Sequence, residues 1–183
     1  MTRLGDESTD WVEDPVLRQR MRFTRSTDPD GGEVLHVEAW IEPGGGVPPH
    51  VHPVIKERFN VLDGRVSLLA GRRWVEAGAG EEVVVAPGTR HAYRNRSDEP
   101  AHFRCDVRPP SSLQGFLEGA AAMSRAGLLT GGGMIKPRGL VRGATLAHRH
   151  RDMVTLTFPP TPPVWLQRLL FPPLAALGRR RGY

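Results

Sequence analysis

Apolar and polar residues alternate through EVLHVEAWI at positions 33–41, the first regular pattern along the chain. Period-two spacing puts Leu35, Val37, Ala39 and Ile41 on one face of a strand and His36, Glu38 and Trp40 on the other; the apolar set marks the core side. VLRQRMRFTRS at 16–26 precedes it across the turn-rich TDPDGG, so the two segments predict a β-hairpin. Further short strands are predicted around Val51 and at 56–62, 65–70, 73–76, 82–86, 91–95 and 101–108, punctuated by DG, AGR, GAG, APG and RSDEP. Such a run of short strands predicts an all-β antiparallel sandwich or barrel over residues 16–110, behind a polar lead at 1–15.

The pattern changes after Pro109 and Pro110, where residues 111–183 read as a helical extension. SSLQGFLEGAAAMSRAGLL places Leu113, Phe116, Leu117, Ala120 and Ala121 at helical spacing, and Ser111 with Gln114 has the form of a capping box. GGGM at 131–134 is a break, and 140–154 is a second, weaker helix. In the tail, an apolar run at 163–177 is too short to span a bilayer of ~30 Å and is broken by Pro172 and Pro173. With Arg179, Arg180 and Arg181 it could touch an anionic membrane surface. The preferred expectation is that Trp165, Leu166, Leu169, Leu170 and Phe171 cover the barrel or a dimer partner.

Composition narrows the class. The 183 residues suit one domain, and 17 prolines with 21 glycines favour turns over long helices. The net charge is +5, but the basic residues, all arginine except Lys56 and Lys136, are scattered among acidic ones, so no nucleic-acid partner is expected. Cys105 is the only cysteine, which excludes an intramolecular disulfide and suits a cytoplasmic setting. MTRLGDESTDWVEDP has no apolar core, so no secretory signal is expected there.

The chemistry concentrates in HVHPVIKERFNVLDG at 50–64. On a strand, His50 and His52 present two imidazoles to one side, about 6 to 7 Å apart at the backbone. Glu57 facing the same interior brings Phe59 and Val61 inward with it and turns Lys56 and Arg58 outward. Some distance on, an apolar run ends in Pro87-Gly88 and aims His91 and Tyr93 back into the structure. Three imidazoles and one carboxylate satisfy a divalent transition metal and leave octahedral positions open for substrate.

These two segments resemble the signature motifs of the cupin superfamily. Gly44, His50, His52, Glu57 and Gly64 fit every spacing of the first; Gly80, Gly88, His91 and Asn95 fit the second, in which Ala86 stands at the family's proline position and Pro87 follows it. The resemblance implies a jelly-roll β-barrel with His50, His52, Glu57 and His91 as ligands of one divalent ion, Fe, Mn, Ni, Zn or Cu. It also implies a homodimer, because such sheets often pair through edge strands and terminal extensions.

The expected function is that of a small-molecule enzyme of dioxygenase type, with a pocket lined by Phe59, Val61 and Tyr93. In the quercetinase-like branch, Glu57 would serve as both ligand and proton acceptor. The alternatives are a non-redox isomerase or cyclase and a ligand-binding protein without turnover. His148 and His150 diverge by roughly 200° on a helix and are read as surface residues; His36 and His102 are not read as ligands. No G-x-S-x-G or GK[ST] motif is present, and GGGM opens no dinucleotide unit.

Overall fold

The computed structural model describes residues 11–157 and 163–183. Strands β1 (Val12–Asp14), β2 (Gln19–Thr27), β3 (Glu33–Ile41), β4 (Gly46–Val51), β5 (Lys56–Asp63), β6 (Arg65–Ala70), β7 (Arg73–Gly78), β8 (Glu82–Val85), β9 (Arg90–Arg94) and β10 (Ala101–Arg108) follow one another. Helices α1 (Leu113–Arg125) and α2 (Leu140–Arg149), a short strand β11 (Thr155–Leu156) and helix α3 (Val164–Arg180) complete the chain.

The β2–β3 hairpin forms where its turn chemistry directs. Asp28 accepts through Oδ1 from the Asp30 and Gly32 amides at 3.1 and 2.8 Å, and Gly31 takes the positive φ that closes the turn. Pairing is antiparallel throughout, in the orders β1-β2-β3-β10-β5-β8 and β11-β4-β9-β6-β7. The alternation then fixes the core: Leu35, Val37, Ala39 and Ile41 of β3 lie opposite Val107, Cys105, Phe103 and Ala101 of β10. They meet Val66, Leu68 and Tyr93 of the second sheet in one buried cluster. The expected barrel is therefore a two-sheet jelly-roll sandwich, open at its edges.

On the large sheet, two histidines not read as ligands have other partners. His36 contacts Asp106 at 2.7 Å, while His102 contacts Glu38 at 2.8 Å and stacks on Trp40. Asn95 of the second motif is buried and donates to the Ile41 and Glu99 carbonyls, tying the end of β9 to the end of β3. The displaced proline has its own logic. Thr89 donates to the Ala86 carbonyl across Pro87 and Gly88, the latter at φ +76°, the pattern of a type II turn with proline and glycine in their favoured places.

The helical region departs from expectation in four respects. Ser111 and Gln114 form no capping box: Ser112 is the N-cap, its hydroxyl is taken by His150 at 2.7 Å, and Gln114 donates to Glu118. The helix expected over 140–154 ends at Arg149, because Met153 and Val154 turn back onto the His150 carbonyl and Thr155–Leu156 joins β4 as a strand. His150 is consequently buried rather than on the surface. Pro172 and Pro173 do not break α3, although each removes a backbone donor; packing against α2 holds it, with Gly178 so close to Thr145 that a Cβ would meet the hydroxyl.

The tail residues expected to cover the barrel or a dimer partner divide into two sets. Trp165 and Leu169 are 68% and 65% exposed, while Leu170, Phe171 and Leu174 line a cavity between the helices and the sheets. No helix among the described residues is long and apolar enough to cross a membrane.

Gly64 and Gly71 both hold positive φ, at +71° and +66°, but a Cβ at Gly64 would lie 2.6 Å from the Pro100 carbonyl whereas Gly71 faces open space. Left-handed strain alone costs an alanine about 1–2 kcal/mol. In urea unfolding, Gly71→Ala is expected to lose about that much and Gly64→Ala distinctly more; equal losses would show that the β5–β6 turn is not locked against Pro100.

Candidate metal centre

Four elements converge on one point between the sheets. His50 and His91 are direct cross-strand partners on β4 and β9, so antiparallel register alone brings their rings to 4.1 Å between centroids. His52 follows β4 in a loop whose carbonyl accepts from the Gly88 amide, coupling the two motifs through their backbones. Glu57 enters from β5 in the opposite sheet, inward like Phe59 and Val61, with Lys56 and Arg58 exposed between them. Gly46 allows the approach of β4 to β9, since a Cβ there would collide with the Tyr93 carbonyl.

Each imidazole is oriented by the same device. His50 Nδ1 donates to the Pro48 carbonyl at 2.9 Å, His91 Nδ1 to Thr89 at 2.8 Å and His52 Nδ1 to Met153 at 2.9 Å. Committing Nδ1–H to a carbonyl leaves Nε2 as the nitrogen with the free lone pair. His50, His52 and His91 are buried and offer ligand atoms within 4.8 Å of one another, a spacing that can hold an ion.

Glu57 completes the arrangement. Its Oε2 lies 2.7 Å from His91 Nε2 and its Oε1 3.6 Å from His52 Nε2. Neither Glu57 Oε2 nor His91 Nε2 has a hydrogen-bond partner, although both atoms are buried. Two lone pairs pointed at each other in a dry interior repel unless a proton or a cation lies between them. The donor set thus fits a first-row divalent ion.

Protonation follows from the surroundings. Burial, followed by the neighbouring charges of His91 and His52, pushes His50 down to about 3, and burial also lowers His52. Burial alone would raise the Glu57 carboxyl, but His91, His52 and His50 around it hold it below the ordinary range. Burial likewise opposes charge on His91, yet contact with Glu57 raises its proton affinity. At neutral pH His50 and His52 are neutral and the carboxylate is ionised. His91 is thus the one of the three histidines whose protonated form Glu57 favours.

Phe59 and Tyr93 line a cavity of about 550 Å³ that reaches the three histidines, but Val61, expected beside them, packs in the core instead. Tyr93 donates to Gln19 Oε1 at 2.6 Å, and burial raises its hydroxyl above the usual range, as it does the Cys105 thiol. Both therefore act as neutral wall. Gln19 was not anticipated, although its shared parity with Met21 on β2 could have placed it inward. The carbonyls of Pro48, Thr89 and Met153 leave no mark in side-chain pattern.

Residues 37–107 match the family model described as cupin domain. No protein of curated function matches the sequence. Similar solved structures include KdgF from Halomonas sp., 18% identical with a TM-score of 0.47 over 58% of this chain and 91% of that one. The polyketide cyclase RemF from Streptomyces resistomycificus is 25% identical, TM-score 0.45, over 58% and 78%. The oxalate decarboxylase of Lactobacillus farciminis is 22% identical, TM-score 0.44, over 51% and 29%. The three histidines and Glu57 all lie within the matched residues, on or beside the paired antiparallel sheets of a jelly roll; residues 37–107 are a cupin domain.

Proposed function

We propose that this cupin holds one divalent transition metal ion through His50, His52, His91 and Glu57 and acts on a small organic molecule as a dioxygenase-type enzyme. The carrying observation is the buried, partnerless pair Glu57 Oε2 and His91 Nε2, beside imidazoles whose Nδ1 atoms are all committed to carbonyls. Once bound, the ion supplies Lewis acidity and open coordination positions for oxygen donors. Glu57 keeps Oε2 toward His91, which leaves Oε1 to accept the proton of an ionising substrate hydroxyl. Phe59 and Tyr93 pack against the substrate body, and the apolar wall keeps bulk water from the reacting end. Cys105, buried with its thiol protonated, takes no part.

Elemental analysis of protein purified without chelators is expected to find about one ion per chain. His52→Ala and His91→Ala should weaken that binding by more than the about 10–100-fold typical of losing a supporting partner. A folded, metal-free wild type, or variants with undiminished metal content, would overturn the metal reading.

The reaction class has a separate test. Metal-loaded protein presented with a panel of apolar phenols and enols in an oxygen electrode should consume dioxygen in step with substrate loss. Glu57→Gln should abolish the uptake. Substrate turnover under strict anaerobiosis would replace the dioxygenase reading with metal-assisted isomerisation or cyclisation.

A further inference from the structure

The cavity extends well beyond the metal centre, and its far wall is built by residues outside the matched 37–107 segment. Phe116 and Ala120 of α1, Ala144 and Ala147 of α2, and Phe171 and Leu174 of α3 face into it. These helices are locked together. A Cβ at Gly119 would lie 2.5 Å from Leu146, and one at Gly143 would lie 2.5 Å from Ile135, so α1, α2 and the segment before α2 meet at glycine contacts that leave no slack. A cap joined this tightly makes the space between it and the sheets part of the fold rather than a packing fault.

The chemistry of the wall selects its occupant. Among the described residues lining the cavity there is no lysine or arginine, and the carboxylates are Asp14 and Glu57. Asp14 is buried and accepts from the Leu17 amide at 3.0 Å. Gln19 accepts from Tyr93. Away from the metal centre, these polar side chains are engaged within the protein, so a phosphate or polyol placed there would lose its hydration without replacement. At the mouth, Met134, Ile135, Leu140 and Leu170 line the cavity and are exposed, forming an apolar rim. A volume of about 550 Å³ is ample for one organic molecule.

We infer that the cavity holds a neutral, mostly apolar molecule with one oxygen-bearing end at His50, His52, His91 and Glu57 and an apolar body running between the sheets and helices α1, α2 and α3. This rests on the proposed metal site for its polar end only. Ala120 and Phe171 are the specificity-determining positions, because they set how far the body can extend.

The test uses the full-length, metal-loaded protein and the neutral dye N-phenyl-1-naphthylamine, displaced by a series of straight-chain 1-alkanols. One saturable dye site per chain is expected. Alkanol affinity should rise ~fourfold with each methylene until the cavity is full. Ala120→Phe should move that plateau to shorter alkanols and Phe171→Ala to longer ones, each variant checked for a native circular-dichroism spectrum and cooperative melting. Adenosine monophosphate and glucose 6-phosphate should not displace the dye. The inference is overturned by absence of a saturable site, by displacement independent of chain length, by effective competition from the phosphates, or by dye binding that both cavity variants leave unchanged while Leu169→Ser on the outer face of α3 removes it. Metal content measured on the same samples separates the failures. Metal without dye binding defeats this inference alone, and dye binding without metal defeats the proposed metal site alone.

Discussion

Three hydrogen bonds from imidazole Nδ1 to backbone carbonyls are the constraint on which the site depends. A histidine ring is free to present either nitrogen, and a buried one without a partner would lose the solvation of both. The Pro48 and Thr89 carbonyls lie two residues from the histidines they hold, so β4 and β9 carry their own orienting groups. His52 differs, because its acceptor is Met153, which is distant in sequence. The chain must finish both sheets and two helices, then return along β4 as β11, before His52 is fixed. The orientation of His52 and docking of the C-terminal region are therefore coupled through one hydrogen bond.

Burial makes this arrangement costly and specific at once. A buried carboxylate at Glu57 persists because imidazoles surround it, and the same proximity raises the proton affinity of His91. Around them the walls are chemically quiet: Cys105 and Tyr93 stay protonated, and the second sheet contributes Leu68 and Val66 to the core. The three imidazoles and Glu57 are thus gathered at one end of a long apolar space. Helices α1, α2 and α3 close the other end with side chains that carry no charge.

Much of this was legible in the residues. The alternation in EVLHVEAWI gave β3 and its core face to the residue, and parity in β5 placed Glu57 and Phe59 inward while sending Lys56 and Arg58 out. Spacing of His50, His52 and His91 carried the site because β4 and β9 are neighbours, which period-two patterns express well. The same parity misplaced Val61, since an inward direction says nothing about whether Phe103 or open space lies beyond. Long-range events were hidden altogether. His150 looked like a surface residue until Ser112 bonded to it, and Met153 looked helical although its carbonyl is needed at His52. Pro172 and Pro173 signalled a break that packing against α2 overrides. Local propensity describes a segment alone, and these segments are shaped by partners well separated from them along the chain.

The most direct measurement of the central claim is long-range ¹H–¹⁵N correlation NMR of the imidazole nitrogens in the zinc-loaded protein. The account predicts that His50, His52 and His91 all carry their proton on Nδ1 and bind zinc through Nε2. A protonated Nε2 on any of the three, or zinc bound through Nδ1, would contradict it.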